Sequence, residues 1–240
     1  MNAKRFFFAA LAACVLLLAC AAVFVAVEDP LLARGMNPGD KARFLNERYE
    51  MAGLIRNQEY SNVVMGTSLV ANYRASWFTE GLGAETLKIT FPDGQITEFD
   101  TALELAYRSR GELDHVFFGL DPNVLVSADK ASALPDYLYN KSVLDDVKAY
   151  LNADSVALAV GEAMARQRGK GVPLDDAYLL DEHNKFGEEY AKAWYPRPET
   201  VSDTKLPEDA YREACDKNLA MITHWIETHP DTQFTVWFPP

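Results

Sequence analysis

The sequence predicts an α/β protein with a doubly wound parallel sheet, preceded by one transmembrane helix. Short apolar strands alternate with helical segments along the chain, and this alternation favours parallel strands with helices on both faces of the sheet. The N-terminal segment is apolar over a length that suits a bilayer. Hydrophobic residues make up 49% of the 240 residues and charged residues 24%, which is typical of a globular chain with a core.

The N-terminal segment is the clearest feature of the sequence. Phe6 to Val27 is a run of 22 residues without a charge; as a helix it is about 33 Å long, enough to cross about 30 Å of hydrocarbon. Lys4 and Arg5 precede the run, and all 35 acidic residues follow it. Because basic residues favour the cytoplasmic side, we expect the rest of the chain to be exported. The predicted divisions are a signal-anchor over 1–27, a juxtamembrane linker over 28–43 and a globular domain over 44–240.

Two other interpretations of the leader remain open. A cleaved signal peptide has a shorter apolar run than this one, which continues past every plausible cleavage site and so favours an uncleaved anchor. Leu17-Leu18-Ala19-Cys20 is similar to a bacterial lipobox, which would place a lipid on Cys20. The apolar residues Ala21 to Val27 are unlike the polar start of a mature lipoprotein. Under each interpretation the domain works outside the cytoplasm.

Composition excludes several classes of partner and cofactor. The formal charge of −12 repels phosphate backbones, so nucleic acid is not expected as a partner. Cys14, Cys20 and Cys215 cannot form a disulfide framework, since two of them lie in the leader. Acidic pairs such as Asp145-Asp146 lack the ligand spacing of a calcium-binding loop. We therefore expect neither a metal ion nor another cofactor.

The domain is predicted to contain four strands and four helices. The predicted strands are 61–66, 86–90, 115–119 and 233–238, and the last is apolar enough to be buried on both faces. The predicted helices are 41–51, 97–110 with Thr97 as cap and Gly111 as stop, 143–168 with a break at Asn152 or Asp154, and one that begins at Pro207. The last helix presents one face made of Tyr211, Cys215, Leu219, Ile222 and Ile226. Residues 169–198 are predicted to be irregular.

Candidate functional residues follow the first three strands. Gly66-Thr67-Ser68 follows the first, Gly94 closes a turn after the second, and Asp121 and Asn123 come after the third. The carboxyl ends of parallel strands meet at one edge of the sheet, where ligands bind. A serine at the mouth of a helix gains from backbone N–H groups, which stabilise a polarised hydroxyl and an oxyanion. The alternative is that Ser68 only caps a helix.

Several stretches resemble the SGNH-hydrolase-like proteins anchored in bacterial membranes. They are Glu47-Arg48-Tyr49, residues 53–57, Tyr60 to Tyr73, Phe118 to Asp121, Leu134 to Tyr139 and Phe234 to Pro240, which together span most of 44–240. The resemblance implies a flavodoxin-like sheet in a single-pass protein of the bacterial cytoplasmic membrane, with the domain on the extracytoplasmic side. It also implies an acyl-ester hydrolase or acyltransferase acting on an acylated glycan of the cell envelope or an exported polysaccharide, with envelope polysaccharide assembly proteins as possible partners.

The resemblance assigns roles to individual residues. Ser68 matches the nucleophile, its own N–H is one oxyanion donor, and Gly94 is the candidate for a second donor. The third block of the family, Gly-x-Asn-Asp, is matched only in part, because Asp121 stands in the place of the asparagine. An ionised carboxylate cannot donate a hydrogen bond. Either Asn123 therefore takes over the role, or Asp121 is protonated, or the oxyanion hole has two donors.

The general base of the family is not matched. The family carries an Asp-x-x-His motif after a final strand, and none of His115, His183, His224 and His229 stands three residues after an aspartate. We therefore expect an SGNH-type sheet that is incomplete at its C-terminus, with the base in a downstream segment that would also cover the last strand. The other function class is a non-catalytic binding or assembly factor that keeps the fold without the chemistry.

Overall fold

A four-stranded parallel sheet forms the centre of the protein. The computed structural model describes residues 3–37, 39–127, 131–142, 145, 147–180, 187–194, 209 and 211–239. The strands are β1 (Asn62–Gly66), β2 (Thr86–Thr90), β3 (His115–Gly119) and β4 (Gln233–Trp237). Their order is β2-β1-β3-β4, and all three pairings are parallel. The predicted α/β class and parallel sheet are confirmed.

Helices account for most of the remaining described residues. They are α1 (Ala3–Glu28), α2 (Glu47–Asn57), α3 (Ala75–Leu82), α4 (Ile96–Arg110), α5 (Pro122–Val126), α6 (Asp136–Tyr139), α7 (Val147–Tyr150), α8 (Ala153–Gln167), α9 (Glu188–Trp194) and α10 (Arg212–Thr228). A 3-10 turn covers Leu174–Asp176.

The N-terminal helix α1 is long and apolar enough to cross a membrane. Val25, in its last turns, is buried against the domain. The segment that follows is not a free linker, because Leu31 and Leu32 are buried in the core. A Cβ atom on Gly53 of α2 would lie 2.0 Å from the carbonyl oxygen of Leu31, so only glycine allows this close approach. The first part of the predicted linker, 28–43, therefore packs against the domain.

Helices cover both faces of the sheet. The ring of Phe118 in β3 contacts Phe99 of α4 and Trp225 of α10, with ring centroids 5.3 and 5.6 Å away. The next residue back, Phe117, contacts Phe78 of α3 at 5.0 Å. Because neighbouring residues of a strand point to opposite faces, α3 lies on the face opposite to α4 and α10.

The first two domain helices differ from the prediction at their starts. Helix α2 begins at Glu47 and not at residue 41, because the Asn46 side chain caps it by accepting a hydrogen bond from the N–H of Arg48. Residue Ala42 pairs instead with Val172 in an antiparallel bridge. Helix α4 begins at Ile96, one residue before the predicted cap Thr97, and its predicted end at Gly111 is confirmed.

The predicted break near Asn152 is confirmed, and it separates α7 from α8. The side chain of Asn152 accepts a hydrogen bond of 2.8 Å from the N–H of Ser155, which makes it the N-cap of α8. A cap of this kind satisfies a backbone donor that the helix itself cannot use.

The helix predicted near the C-terminus is confirmed as α10, but only part of its predicted face is covered, since Ile222 is buried and Cys215 is half-buried. Tyr211, Leu219 and Ile226 are exposed, whereas the buried residues of the helix are Asn218, Ile222 and Trp225. The Asn218 amide donates hydrogen bonds to the carbonyls of residues 124, 125 and 127, and the Trp225 indole donates to Asp100 at 2.6 Å. These partners orient the helix. The predicted first-turn residue, Pro207, lies outside the described residues.

The predicted burial of the last strand on both faces is also wrong. Strand β4 lies at one edge of the sheet, and none of its five residues is fully buried. Val236 is 40% exposed, and Phe238 just beyond the strand is 63% exposed. The apolar composition of the strand was therefore a poor guide to its position.

Candidate functional site

A small cleft lies at the carboxyl edge of the sheet, where the sequence predicted it. It has a volume of about 170 Å³, and it is lined by Thr67, Ser68, Asp93, Gly94, Gln95, Asp121, Asn123, Val124 and Ser127. Ser68, Gly94, Asp121 and Asn123, the four residues singled out from the sequence, all lie in this lining. Residues from three separate loops meet there because β1, β2 and β3 are neighbours and run in the same direction.

Ser68 lies in a turn directly after β1 and is half-buried. The turn is built by hydrogen bonds from the N–H of Val70 to the carbonyl of Thr67 and from the N–H of Ala71 to that of Ser68, at 2.9 and 3.2 Å. Helix α3 begins only at Ala75. Neither the helix mouth nor the simple helix cap predicted for Ser68 is therefore present.

The position of this turn depends on glycine at the end of β1. A Cβ atom on Gly66 would lie 2.4 Å from Cγ2 of Val70 and 2.8 Å from the carbonyl oxygen of Gly119. A Cβ atom on Gly119 would lie 2.3 Å from the same methyl group. Because the two glycines have no side chains, Val70 packs directly against the ends of β1 and β3. This packing places Ser68 at the rim of the cleft.

Asp121 accepts hydrogen bonds at both carboxylate oxygens. Oδ1 accepts from the N–H of Asn123 at 2.8 Å, so Asp121 is the N-cap of α5. Oδ2 accepts from the hydroxyl of Thr67 at 3.0 Å. Since that hydroxyl in turn accepts from the N–H of Leu69 at 3.4 Å, its hydrogen points to Asp121. Both carboxylate oxygens of Asp121 thus act as acceptors that tie two strand ends together, and the side chain does not supply an oxyanion donor.

The backbone N–H of Gly94 is already engaged. It donates to the carbonyl of Phe91 at 2.8 Å, which closes the turn after β2. A Cβ atom at this position would lie 2.7 Å from that carbonyl oxygen and 2.9 Å from Cζ of Phe99. Close packing thus accounts for the glycine, and the turn uses the donor that the resemblance assigned to the oxyanion hole.

Two of the candidate oxyanion donors remain available. The N–H of Ser68 and the side-chain amide of Asn123 make no hydrogen bond to any residue that the structure describes. Asn123 is exposed, and its backbone carbonyl accepts from the hydroxyl of Ser127 at 2.5 Å. Of the alternatives left open by the sequence, this arrangement favours Asn123 as the side-chain donor.

The three described histidines lie at the other end of the sheet. His115 begins β3, and the first and last residues of each five-residue strand are about 13 Å apart at roughly 3.3 Å per residue. His224 is in the last turns of α10, just before β4. His229 stacks on Tyr107 with ring centroids 3.4 Å apart, and burial lowers its pKa. His183 lies outside the described residues. The described part of the chain therefore brings no histidine to Ser68.

An ion pair that the sequence analysis missed supports the cleft. Arg48 donates from Nε and Nη2 to the carboxylate of Glu98, both at 2.9 Å, and also to the carbonyl of Pro92 at 3.1 Å. Glu98 is 1% exposed and accepts further bonds from the N–H groups of Gln95 and Ala133, both at 3.0 Å. Burial raises the pKa of Glu98, but these hydrogen bonds outweigh it and hold the pKa below its ordinary value. The pair thus fixes the turn that lines one side of the cleft.

This support is not visible in the sequence. Gln95 and Glu98 form a capping box at the start of α4, but Gln95 is not the Ser or Thr that marks such a box in a sequence. The partnership with Arg48 crosses 50 residues and has no local signal. Tyr139 donates from its hydroxyl to the carbonyl of Arg48 at 2.9 Å. Two of the stretches that carry the resemblance therefore meet here, in a structural role.

Charged side chains elsewhere do not assemble into a metal centre in the described part of the chain. No group of three or more His, Cys, Asp or Glu residues lies close enough there to hold an ion. Comparisons of this chain with protein-family models, with curated proteins and with solved structures found no match.

Proposed function

We propose that this protein is a membrane-anchored, serine-dependent acyl-ester hydrolase or acyltransferase of the SGNH type, with Ser68 as its nucleophile. The observation that supports the proposal is the meeting of Ser68 and Asn123, 55 positions apart in the sequence, in one cleft at the carboxyl edge of the parallel sheet. The strand order β2-β1-β3-β4 agrees with the first four strands of the doubly wound 2-1-3-4-5 order.

The proposed reaction has two steps. In the first, Oγ of Ser68 attacks the ester carbonyl, its proton passes to a base, and the alcohol leaves with a proton to give an acyl-serine. In the second, water or a sugar hydroxyl attacks the acyl-serine and frees Ser68. The N–H of Ser68 and the amide of Asn123 would stabilise the oxyanion in both steps. The proposed substrate is an acylated glycan of the cell envelope or an exported polysaccharide.

The reaction needs a proton acceptor next to Ser68, because positioned proton transfer contributes roughly 10²- to 10⁴-fold to the rate. A histidine base would come from outside the described residues, and within this chain His183 is the one histidine that lies there. Asp93 and Asp121 are the carboxylates in the cleft, and Asp121 already accepts two hydrogen bonds.

Labelling with a fluorophosphonate probe tests the proposal. We expect the purified full chain to be labelled at Ser68 and Ser68→Ala to lose the label. Ser127→Ala is the matched control, because Ser127 lines the same cleft but donates its hydroxyl to the carbonyl of Asn123. The control should be labelled as strongly as the unchanged protein. His183→Ala should lower labelling by roughly 10²-fold or more if that residue is the base.

The alternative is a non-catalytic binding or assembly factor on the same membrane. It is favoured by the turn that engages the N–H of Gly94 and by the distance of the three described histidines from Ser68. An unlabelled Ser68 in protein that unfolds cooperatively on heating would support this class and contradict the enzyme. Labelling that persists in Ser68→Ala would also contradict the enzyme, since it would place the reaction elsewhere.

A further inference from the structure

Helix α8 exposes apolar side chains along one face, although it lies on the surface of the protein. Its exposed positions include Ala157, Val160 and Met164, and the last two are each 45% exposed. They follow one another at steps of three and four and so form one stripe along the helix. The opposite face carries Ser155, which is fully buried, and Glu162, which accepts a hydrogen bond from the N–H of Arg43 at 3.1 Å. The apolar stripe thus points away from the domain.

A second group of exposed apolar side chains precedes this stripe in the chain. Val147 of α7 is 56% exposed, and Leu151, which precedes α8, is 45% exposed. Both α7 and α8 contact α1 near its C-terminal end. Val25 shares a cavity of about 250 Å³ with Ala149 and Tyr150 of α7. On the α8 side, Arg166 forms an ion pair with Glu28, the last residue of α1. Helices α7 and α8 therefore pack against the end of α1.

The charge of this region differs from that of the chain as a whole. Residues 147–170 contain four basic side chains, at positions 148, 166, 168 and 170, and two acidic ones, whereas the chain has a formal charge of −12. Arg168 and Lys170 are exposed and follow the apolar stripe. Basic residues beside exposed apolar ones are the pattern of a helix that binds an anionic bilayer surface.

We propose that α7 and α8 form a membrane-binding collar, defined by Val147, Leu151, Val160 and Met164 together with Arg168 and Lys170. The collar lies against the surface of the bilayer that α1 enters, with its apolar side chains in the boundary between headgroups and acyl chains. The bilayer is the proposed occupant because the helices that carry the collar pack against the end of α1 and because the collar carries the complementary charge. This inference depends on the proposed membrane anchor, and it implies that the domain is held at the bilayer in one orientation.

The experiment measures contact with lipid at single positions of the full chain in lipid nanodiscs. After replacement of Cys14, Cys20 and Cys215 by serine, an environment-sensitive fluorophore is attached at Met164→Cys or Val160→Cys. Leu219→Cys is the matched control, since Leu219 is 43% exposed on α10, which packs against α4 and α5. Lipids with a nitroxide near the headgroup should quench the fluorescence at the collar positions at least about twofold more strongly than at position 219. Unchanged thermal unfolding verifies that each variant is folded.

A third position separates failure of this inference from failure of the anchor. Leu16→Cys lies in the middle of α1 and should be quenched by nitroxides deep in the acyl chains if the helix spans the bilayer. Quenching at Leu16 with equal, weak quenching at Met164 and Leu219 would overturn the collar and leave the anchor intact. Absence of deep quenching at Leu16 would overturn the anchor, and with it the collar.

The basic residues are tested by lipid composition. Quenching at Met164 should be stronger in nanodiscs that contain phosphatidylglycerol than in discs of phosphatidylcholine alone. Replacing Arg168 and Lys170 together by glutamate should remove this difference, because the exposed cations no longer attract the anionic headgroups. Equal quenching at Met164 in both lipid compositions, with Arg168 and Lys170 in place, would contradict the role of charge in the collar.

Discussion

The two edge strands of the sheet are buried to very different extents. All five residues of β2 are buried, whereas none of the five in β4 is. The strands share rows of the sheet, since Lys88 of β2 and Thr235 of β4 end one row and Ile89 and Val236 end the next. Ile89 is 0% exposed and Val236 is 40% exposed. An edge position therefore does not determine exposure, which depends on what other parts of the chain cover.

A set of polar contacts keeps the cover of β2 in place. Helix α3 packs on β2, and Lys88 donates from Nζ to the carbonyl of Ala71 at 2.8 Å. Asp175 accepts from the N–H and the hydroxyl of Ser76 at the start of α3, at 2.9 and 2.7 Å. Arg74 forms ion pairs with Asp175 and Asp176. The 3-10 turn of residues 174–176 is thus tied to the helix that covers β2.

Strand β4 has little comparable cover among the described residues. Its Trp237 contacts Tyr73 with ring centroids 5.9 Å apart. An edge strand with exposed apolar side chains and unpaired backbone groups is a template for pairing with another strand. A substitution in β2 therefore disturbs buried packing, whereas a substitution in β4 alters an exposed edge.

The largest expected difference between the two edges comes from placing a charge in the row of the sheet that ends at Ile89 and Val236. Ile89→Lys buries an unpaired ammonium group and should lower the free energy of unfolding by more than about 3 kcal/mol, or prevent folding. Val236→Lys in the same row should change it by less than about 0.5 kcal/mol, because its side chain reaches water. Thermal or urea unfolding followed by tryptophan fluorescence measures both. Equal destabilisation by the two variants would contradict the comparison.

The next effect is the pH dependence that buried Lys88 confers. Burial lowers the pKa of Lys88 from 10.5 to about 8. The unfolded chain keeps the ordinary pKa, so it binds more protons between pH 8 and 10.5, and stability rises with pH across that window. Between pH 8 and 9.5 the free energy of unfolding should rise by about 1–2 kcal/mol. Above this range the buried Tyr60, whose pKa burial raises, has the opposite effect.

Two variants test the source of this rise. Lys88→Met removes the titrating group and should flatten the profile between pH 8 and 9.5. Thr235→Lys adds a lysine in the same row at the half-exposed edge and should add no slope there, since solvent keeps its pKa ordinary. A rise that persists in Lys88→Met would assign the pH dependence to another group.

The smallest expected effect comes from loosening the cover of β2. Asp175→Ala removes the acceptor for Ser76 at the start of α3 and should cost about 1 kcal/mol, the usual cost of a lost helix cap. Hydrogen exchange should become faster in α3 and β2 and stay unchanged in β4. Faster exchange in β4 as well would show that the two edges open together.

Strands and helix ends with local signals were predicted well from the sequence. The first three strands were placed to within one residue, because short runs of apolar and β-branched residues bounded by turn residues are local patterns. The break before α8 has a similar local cause in the cap Asn152. The meeting of Ser68, Gly94, Asp121 and Asn123 followed from one rule, that parallel strands present their carboxyl ends at one edge.

Contacts between distant segments decided the remaining features. The apolar stripe of α10 did not predict its buried face, because the partners of Asn218 and Trp225 lie more than 90 residues away. The engagement of the Gly94 N–H depends on the conformation of its turn, and the ion pair of Arg48 with Glu98 joins two helices. The sequence by itself determined the four strands and the longer helices, since those preferences act over a few residues. Helices α3, α5, α6 and α9 were not predicted, the last of them in the stretch 169–198 that was predicted to be irregular. Tertiary structure alone decided which edge is covered and which donors stay available, because both depend on which distant groups pack together.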